Sequence, residues 1–378
     1  MDALIAGQSI RTNGPTSRSG ARLNVLFGVA SWGLGHATRD LPLISRMLDC
    51  GHQVTVASSG RALSVLKQEL SGRCTFLEWP DLPIKISKST PLFYARWTLS
   101  LPLALRAMIA ENRALHGLLH VEHFDRIVSD SRFGVRSSRV ASFHLTHGMR
   151  MIAPRRNPLL EVTMEYIFRS CYGRGARFIV PDFASGSLSG ELSHDLRFIP
   201  ADQMSYIGIL SGVRRRPVSE DIDCYVSISG PEPQRTILER IILDQVYDLP
   251  GRTVVSLGKP DESAQSWRRG NVTIYSYVNR RQQEELMNRA RLVVSRSGYS
   301  TIMELAELRK RALLIPTPGQ TEQEYLAGLH LRLGNFYSVT QRRLDLARDV
   351  EVARDYPGCT PTHCTDQTIE QFMQLLAD

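Results

Sequence analysis

Short apolar runs alternate with amphipathic stretches along the first half of the chain. The run LNVLFGVA at 23–30 predicts a buried strand, and ATRDLPLISRMLDCGHQ at 37–53 has apolar residues at helical spacing with Gly51 as a C-terminal cap. The next run, QVTVASS, completes a βαβ unit, which indicates a parallel sheet. Two further predicted strands, FDRIVSD at 124–130 and ASFHLTHG at 141–148, end in polar residues. Ligands bind at such strand ends in open α/β sheets.

A charged, proline-broken stretch separates this half from a second series of elements. GVRRRPVSEDI at 212–222 is typical of a linker between domains. The strands predicted after it are CYVSISG, RTVVSLG, VTIYSYV, RLVVSRSG and RALLIPT, and the helices include PEPQRTILERIILDQV, EELMNRA and STIMELAELRK. Alternating strands and helices with short connections predict a second parallel α/β domain. Two doubly wound domains of similar size leave a cleft between their strand ends.

The pattern divides the chain into five segments. Residues 1–21 are rich in Ser, Gly, Arg and Thr without the apolar core of a signal peptide, so they predict a disordered tail. We expect the first domain at 22–212, the linker at 213–222 and the second domain at 223–360. The segment 361–378 predicts an amphipathic terminal helix, with the first domain as one candidate packing surface. A length of 378 residues fits two domains, because single cores stop growing at roughly 250–300 residues.

The basic charge of the chain lies entirely in its first half. Residues 1–212 hold 24 Lys and Arg against 16 Asp and Glu, whereas the remainder holds 22 of each. This asymmetry favours an acidic partner, either a phosphorylated acceptor or an anionic membrane surface, and a solvated basic surface without a partner is the alternative. Nucleic acid is not expected, because no basic run is interleaved with stacking aromatics.

Cysteine usage and hydropathy bear on compartment and cofactors. Six scattered cysteines are typical of reduced thiols in a cytoplasmic protein, and CTPTHC lacks the second ligand pair of a metal site, so no metal or cofactor is predicted. The most apolar stretch, WTLSLPLALRAMIA, is too short to span a bilayer. The surrounding residues 91–120 predict a pair of amphipathic helices. These helices either pack in the core, or they contact the inner face of a membrane or a lipid-linked acceptor there.

The stretch GVASWGLGHATRD places Gly33, Gly35 and His36 between the first strand and its helix. The spacing is not that of a dinucleotide-binding loop. A helix N-terminus disfavours the imidazolium, so His36 suits the role of a general base, and capping or packing is the alternative. Asp130, at a neighbouring strand end, is the expected partner of His36, or it bonds only local backbone. His147 is a second candidate base at a strand end, and Arg39 lies on the acceptor-side loop.

The segment 291–328 carries the second constellation. A strand ends at Ser297-Gly298 and a helix is expected from about Thr301, where Glu304 reaches a ribose diol or closes a capping box with Thr301. A further strand ends at Pro316. The residues after it predict a polar loop suited to sugar hydroxyls, or merely solvated, which contains Gln320, Glu322, Gln323 and Glu324.

Together, SRSGYSTIMELAELRKRALLIPTPGQTEQEYLAG resembles the donor half of MurG-like nucleotide-sugar glycosyltransferases of the family 28 type. The likeness lies in S-R-S-G, the T-x-x-E helix start, and a glutamine seven residues after Pro316. The resemblance implies a GT-B fold, with two facing Rossmann-like domains and an interdomain cleft. The sequence departs from the family pattern at two places. Ala327-Gly328 replaces the family's Asn-Ala, and a Gln-Glu pair replaces its two glutamines, so the identity of the donor sugar stays open.

The resemblance also implies roles for individual residues. Glu304 would bind the donor ribose, and Gln323 and Glu324 the sugar hydroxyls. Tyr277 and Val278 would hold the base through their backbone, and Ser229 and Gly230 the diphosphate. The remaining implied donor contacts come from Ser297, Gly298, Thr301 and Gln320. In plant-type GT-B enzymes a similar His and Asp act as base and orienter, which implies these roles for His36 and Asp130.

The function implied is transfer of a sugar from a nucleotide donor, UDP-GlcNAc for example, to an acceptor hydroxyl by an inverting, metal-independent displacement. Two alternatives stay open. The GxGHxxR pattern at His36 and Arg39 also occurs in a nucleotide-sugar hydrolase family with a related fold, where the histidine activates water. A nucleotide-sugar-binding protein without activity is the other.

Overall fold

A computed structural model describes residues 22–31, 34–79, 90–173, 175–259 and 265–378, and of residues 90–101 the backbone alone. The predicted tail at 1–21 and Gly33 therefore lie outside the described residues. The strands are Asn24–Val29 (β1), Gln53–Ser58 (β2), Thr75–Glu78 (β3), Arg126–Asp130 (β4), Ala141–Leu145 (β5), Arg177–Val180 (β6), Met204–Tyr206 (β7), Cys224–Ser227 (β8), Thr253–Ser256 (β9), Ser266–Arg269 (β10), Val272–Tyr275 (β11), Leu292–Ser295 (β12), Arg311–Leu314 (β13) and Tyr337–Ser338 (β14).

Helices connect most of these strands. They are Leu34–Asp49 (α1), Gly60–Glu69 (α2), Thr90–Val121 (α3), Pro158–Tyr172 (α4), Gln234–Gln245 (α5), Arg280–Arg289 (α6), Tyr299–Leu308 (α7), Thr321–Arg332 (α8), Leu346–Ala353 (α9) and Thr365–Ala377 (α10). The first strand of each half is apolar and buried, as the short apolar runs predicted.

Each half contains its own seven-stranded sheet. The first has the order β3-β2-β1-β4-β5-β6-β7, and all of its strand pairs are parallel. The second has the order β10-β11-β9-β8-β12-β13-β14, parallel except for the antiparallel pair of β10 and β11. The strand order reverses beside β1 in the first sheet and beside β8 in the second. These reversals are the positions where doubly wound sheets bind ligands.

The structure corrects three of the predicted elements. Helix α7 begins at Tyr299 with Gly298 as its N-cap, two residues earlier than predicted. The predicted polar loop after Pro316 is instead the start of α8, whose first turn holds Glu322 and Glu324. Acidic residues are favourable there, because the helix dipole is positive at its N-terminus. The predicted helix pair at 91–120 is one helix, α3, with a proline inside it.

The chain passes twice from one half to the other, and the two connecting segments lie side by side. In the first crossing, the Ser211 N–H donates to Thr365 Oγ1 at 3.0 Å, and Thr365 N–H in turn donates to Glu307 Oε2 at 2.8 Å. The second crossing leads into α10, which returns to the first half and contacts α1. Phe372 and Leu376 of α10 are buried in the same apolar cluster as residues of α1.

Candidate active site

The carboxyl edge of the first sheet holds a histidine–carboxylate pair. Parallel register pairs Val29 of β1 with Asp130 of β4, which brings the turn into α1 next to the end of β4. Nδ1 of His36, in the first turn of α1, lies 2.8 Å from Asp130 Oδ2. Asp130 is completely buried, whereas 20% of the His36 side chain is exposed. The structure thus brings together the two residues that the sequence paired.

Arg39 lies beneath this pair and is buried. Its Nε donates to Asp130 Oδ2 at 3.1 Å and its Nη2 donates to Asp130 Oδ1, so the guanidinium grips the carboxylate with two hydrogen bonds. Arg39, predicted on the acceptor-side loop, lies instead within helix α1. It is one helical turn after His36 and only 2% exposed, because that turn of α1 faces the sheet.

Burial alone would raise the pKa of Asp130, but the Arg39 guanidinium and the His36 ring hold it well below its usual range. Asp40 is also completely buried, its carboxylate is 3.8 Å from Arg39, and its two oxygens have no hydrogen-bond partner among the described residues. Burial and the charge of Asp130 raise the pKa of Asp40 well above its usual range. The two carboxyl groups next to the Arg39 guanidinium are therefore shifted in opposite directions, Asp130 towards the charged form and Asp40 towards the neutral form.

Backbone strain occurs next to Asp130. Ser131 is in the left-handed region with φ of 57°, and its hydroxyl donates to Asp130 Oδ1 at 3.1 Å. A non-glycine residue in this region costs of order 1–3 kcal/mol, and such residues cluster at functional sites.

His147 reaches across to the second half. Its ring stacks on that of Tyr299 in α7, with centroids 4.1 Å apart and planes 15° apart. Its Nδ1 is 3.4 Å from Arg39 Nη1 and its Nε2 is 3.5 Å from Glu322 Oε1 in α8. Gly35 approaches the same half, because a Cβ built there would lie 2.8 Å from Ser300 Oγ. Gly35 thus allows α1 to approach the second half closely.

The strand ends of the second sheet are held together largely through backbone groups. Ser229 and Gly230 follow β8 and are exposed, and Gly230 has φ of 116°, which favours glycine. Arg296 is 2% exposed and donates to the backbone carbonyl oxygens of residues 229, 234, 315 and 316. Burial lowers the pKa of Arg296 to about 10. Its four bonds tie the loop after β8 to the end of β13.

Glu304 does not close a capping box. Helix α7 is capped at Gly298 without a side-chain hydrogen bond, so Thr301 lies inside the helix and Glu304 a further turn along its axis. Burial raises the pKa of Glu304 to about 7, and Arg280 opposes this shift. A carboxylate at this place, with no cap to satisfy, is available to a ligand.

Several predicted donor residues use part of their polar capacity within the protein. The Ser297 hydroxyl donates to the Gln323 carbonyl oxygen at 2.8 Å, so it fastens α8 to the end of β12. Gln323 Oε1 accepts from Thr317 N–H, and Glu324 Oε1 accepts from Gly319 N–H, both at 2.9 Å. The remaining predicted donor residues lie on the same edge: half-buried Tyr277 and buried Val278 after β11, and Gln320 at the N-cap of α8.

Sequence reasoning missed Arg296, Asp40 and the cross-cleft position of Glu322. Arg296 stands inside the S-R-S-G motif, so the motif itself could have indicated it. Among the described residues, no group of three or more His, Cys, Asp or Glu is arranged to hold a metal ion. None of the helices in the described ranges is long and apolar enough to cross a bilayer.

Comparison with known proteins defines the class. Residues 237–343 match the family model of the glycosyltransferase family 28 C-terminal domain. No curated protein matches the chain significantly.

Three solved structures illustrate the fold that the chain shares. The kitacinnamycin glycosyltransferase is 13% identical with a TM-score of 0.64, covering 94% of this chain and 95% of its own. VinC in complex with dTDP is 13% identical with a TM-score of 0.56, covering 94% and 95%. MurG of Acinetobacter baumannii is 12% identical with a TM-score of 0.57, covering 94% and 99%.

The fold is therefore GT-B, and the protein is a glycosyltransferase, which confirms the predicted fold class and the prediction of an enzyme. More particularly, the segment 237–343, which contains α7, α8 and Arg296, is similar to the C-terminal domain of glycosyltransferase family 28.

Proposed function

We propose that the protein transfers a sugar from a nucleoside-diphosphate sugar to an acceptor hydroxyl, with inversion at the anomeric carbon. The observation that carries this proposal is the His36–Asp130 pair, which faces the donor half across the cleft. VinC, which shares the fold, was solved with dTDP, and this supports a nucleoside diphosphate in the second half.

On the acceptor side, His36 acts as the general base. With the Nδ1 proton donated to Asp130, the basic lone pair is on Nε2, and a neutral imidazole can take the acceptor proton as the hydroxyl attacks the anomeric carbon. Asp130 then stabilises the imidazolium that forms. The bond from the anomeric carbon to the diphosphate oxygen breaks in the same step, and the nucleoside diphosphate leaves.

On the donor side, the loop at Ser229 and Gly230 and the N-terminus of α7 at Gly298 meet the diphosphate. The N–H groups and dipole of a helix N-terminus stabilise the negative charge that develops on the leaving group. Glu304 accepts hydrogen bonds from the ribose hydroxyls. Backbone at Tyr277 and Val278 contacts the base, and Gln323 and Glu324 contact the sugar through the polar atoms that α8 leaves available.

The experiment that tests the proposal is release of nucleoside diphosphate from UDP-GlcNAc and related UDP- and dTDP-sugars, with and without a panel of acceptor alcohols. We expect release that depends on an acceptor and a product of inverted anomeric configuration by NMR. Release at the same rate without any acceptor would instead make water the substrate. Binding of every donor without release would refute the enzyme mechanism.

The solvent face of α3 supports an acceptor at an anionic membrane surface. Leu103, Ile109 and Val121 are 57%, 46% and 79% exposed, and Arg106 and Arg113 are exposed on the same helix. Apolar and basic side chains together are typical of helices that lie in the membrane interface. Co-sedimentation with phosphatidylglycerol vesicles, but not with phosphatidylcholine vesicles, is expected, and Leu103→Ser with Ile109→Ser should abolish it. Equal recovery with both vesicle types would contradict this part of the proposal.

A further inference from the structure

A chain of polar contacts runs from helix α8 of the donor half to the His36–Asp130 pair. Its members are Glu322, His147, Arg39 and Asp130, in that order. The first of these is in the donor half and the other three are in the acceptor half. The chain therefore crosses the cleft at the level of the proposed base.

The contacts along this chain give each hydrogen bond a direction. At His36, Arg39 Nη2 lies 3.1 Å from Nδ1 and competes with Asp130, but the Asp130 carboxylate can only accept and is closer, at 2.8 Å, so the Nδ1 proton is donated to Asp130. Arg39 can only donate, so His147 must accept at Nδ1, where the two nitrogens are 3.4 Å apart. A neutral His147 that accepts at Nδ1 carries its proton on Nε2, which faces Glu322 Oε1 at 3.5 Å. The carboxylate of Glu322 thus receives the proton that this tautomer offers, and each link fixes the next.

The donor half also fixes the His147 ring. Tyr299 stacks face to face against it, and the Tyr299 hydroxyl donates to the carbonyl oxygen of Pro181 at 2.6 Å, so the stacking partner is itself held by the acceptor half. His147 is 12% exposed and Glu322 is 48% exposed, so the link lies at the edge of the cleft, with Glu322 in the first turn of α8.

We infer that Glu322 and His147 are positioning residues, which connect the donor-binding helix α8 through Arg39 to Asp130 and so set the orientation of His36. This inference rests on the proposed function. It adds that the base His36 is correctly oriented only when α8 is in place. Neither residue touches the reacting atoms. Loss of either should lower kcat and leave donor affinity unchanged.

The kinetic test uses Glu322→Ala, His147→Phe and the double variant. Phenylalanine keeps an aromatic ring against Tyr299 but removes both ring nitrogens. Each single variant should lower kcat roughly tenfold, because a small misplacement of a catalytic group can cost up to about a hundredfold, and the double variant should be no worse than the worse single one. UDP affinity by calorimetry should not change. Glu351→Ala, which removes a carboxylate that is 77% exposed elsewhere in the donor half, is the matched control.

A second measurement does not depend on turnover. In spectra of protein labelled with ¹⁵N-histidine, His147 should show the Nε2–H tautomer and His36 the Nδ1–H tautomer. Glu322→Ala should shift the signals of both rings, whereas Glu351→Ala should shift neither. Unchanged His147 and His36 signals in Glu322→Ala would overturn the inference even if the enzyme is active. Absence of transfer in the wild type with shifted signals would overturn only the proposed function. The inference about Glu322 and His147 would also be overturned if the double variant lost kcat by the product of the two single losses.

Discussion

The two sheets of this glycosyltransferase build their sites from different materials. At the end of the first sheet, the site consists of charged side chains that are buried and grip one another, with Asp130 at the centre. At the end of the second sheet, the site proposed for the diphosphate consists mainly of backbone, glycine and a helix N-terminus, and Arg296 ties these segments together through their carbonyl oxygens. Side chains suit proton transfer, whereas backbone suits the recognition of a diphosphate. The division of labour between the halves follows from this contrast.

Removal of the proposed base should have the largest effect, because it tests whether the first site alone carries out proton transfer. His36→Ala should lower turnover roughly 10²–10⁴-fold, the usual contribution of general base catalysis. Because the donor pocket lies in the other half, calorimetry should give the same UDP affinity as for the wild type. Turnover within a few-fold of the wild type would show that the proton leaves by another route.

Removing the cation beneath the base tests whether the first site is a charged cluster. Arg39→Met leaves Asp130 and Asp40 buried without a guanidinium, so unfolding free energy should fall by about 3–5 kcal/mol. Chemical denaturation measures this. Arg46→Met in the same helix is the control, because Arg46 is 43% exposed in a surface pair with Glu370 and should cost about 0–1 kcal/mol. Equal losses for the two variants would argue against a special cluster.

The donor pocket should respond to pH through Glu304. Its pKa is raised to about 7, so the carboxylate that we propose to bind the ribose forms as pH rises through that value. UDP-GlcNAc affinity, measured in the His36→Ala background, should therefore increase from pH 6 to pH 8. Glu304→Gln should remove that dependence and weaken binding at pH 8 by about 1.5–3 kcal/mol, the value of a hydrogen bond to a charged group.

Stability gives the opposite sign for the same residue. The folded state binds this proton more tightly than the unfolded state. The contribution of Glu304 to the free energy of unfolding therefore falls as pH rises from the ordinary pKa of a glutamate to about 7. Glu304→Gln should make the Tm less dependent on pH in that window, and Glu285→Gln, 61% exposed on α6, should not. A pH profile of affinity that Glu304→Gln leaves intact would assign the titration to another group.

The smallest effect is expected where the two halves touch. Gly35→Ala places a methyl group 2.8 Å from Ser300 Oγ, so either the Ser300 side chain rotates or the two halves shift slightly. We expect kcat to fall roughly threefold to tenfold, because a small misplacement of catalytic groups is costly. Ser300→Ala in the same protein removes that oxygen and should restore turnover. No loss in the single variant, or no recovery in the double one, would place the functional contact elsewhere.

Much of the fold was predictable, because buried parallel strands are short apolar runs and the helices between them have regular spacing. Helix α8 was missed for a physical reason: its first turn is Thr-Glu-Gln-Glu, and its buried residues begin only at Tyr325. The early start of α7 was missed because its N-cap is Gly298, which offers no side chain to recognise.

The sequence could also predict that His36 and Asp130 meet, since β1 and β4 are neighbours in a doubly wound sheet. It could not predict the burial of Arg39, because arginine is ordinarily exposed and only the sheet beneath α1 decides otherwise. The contact of His147 with Glu322 was out of reach for a further reason. It depends on how two separately folded sheets face each other, which no local pattern encodes.

The return of α10 to the first half has a consequence for the synthesis of the protein. Phe372 and Leu376 complete an apolar cluster whose other members include residues of α1, more than 300 positions earlier. Domains generally fold in order as the chain leaves the ribosome, at about 5–20 residues per second. Here the surface of α1 that α10 covers stays uncovered until α10 emerges, so the first domain to begin folding is completed only after the second has been made.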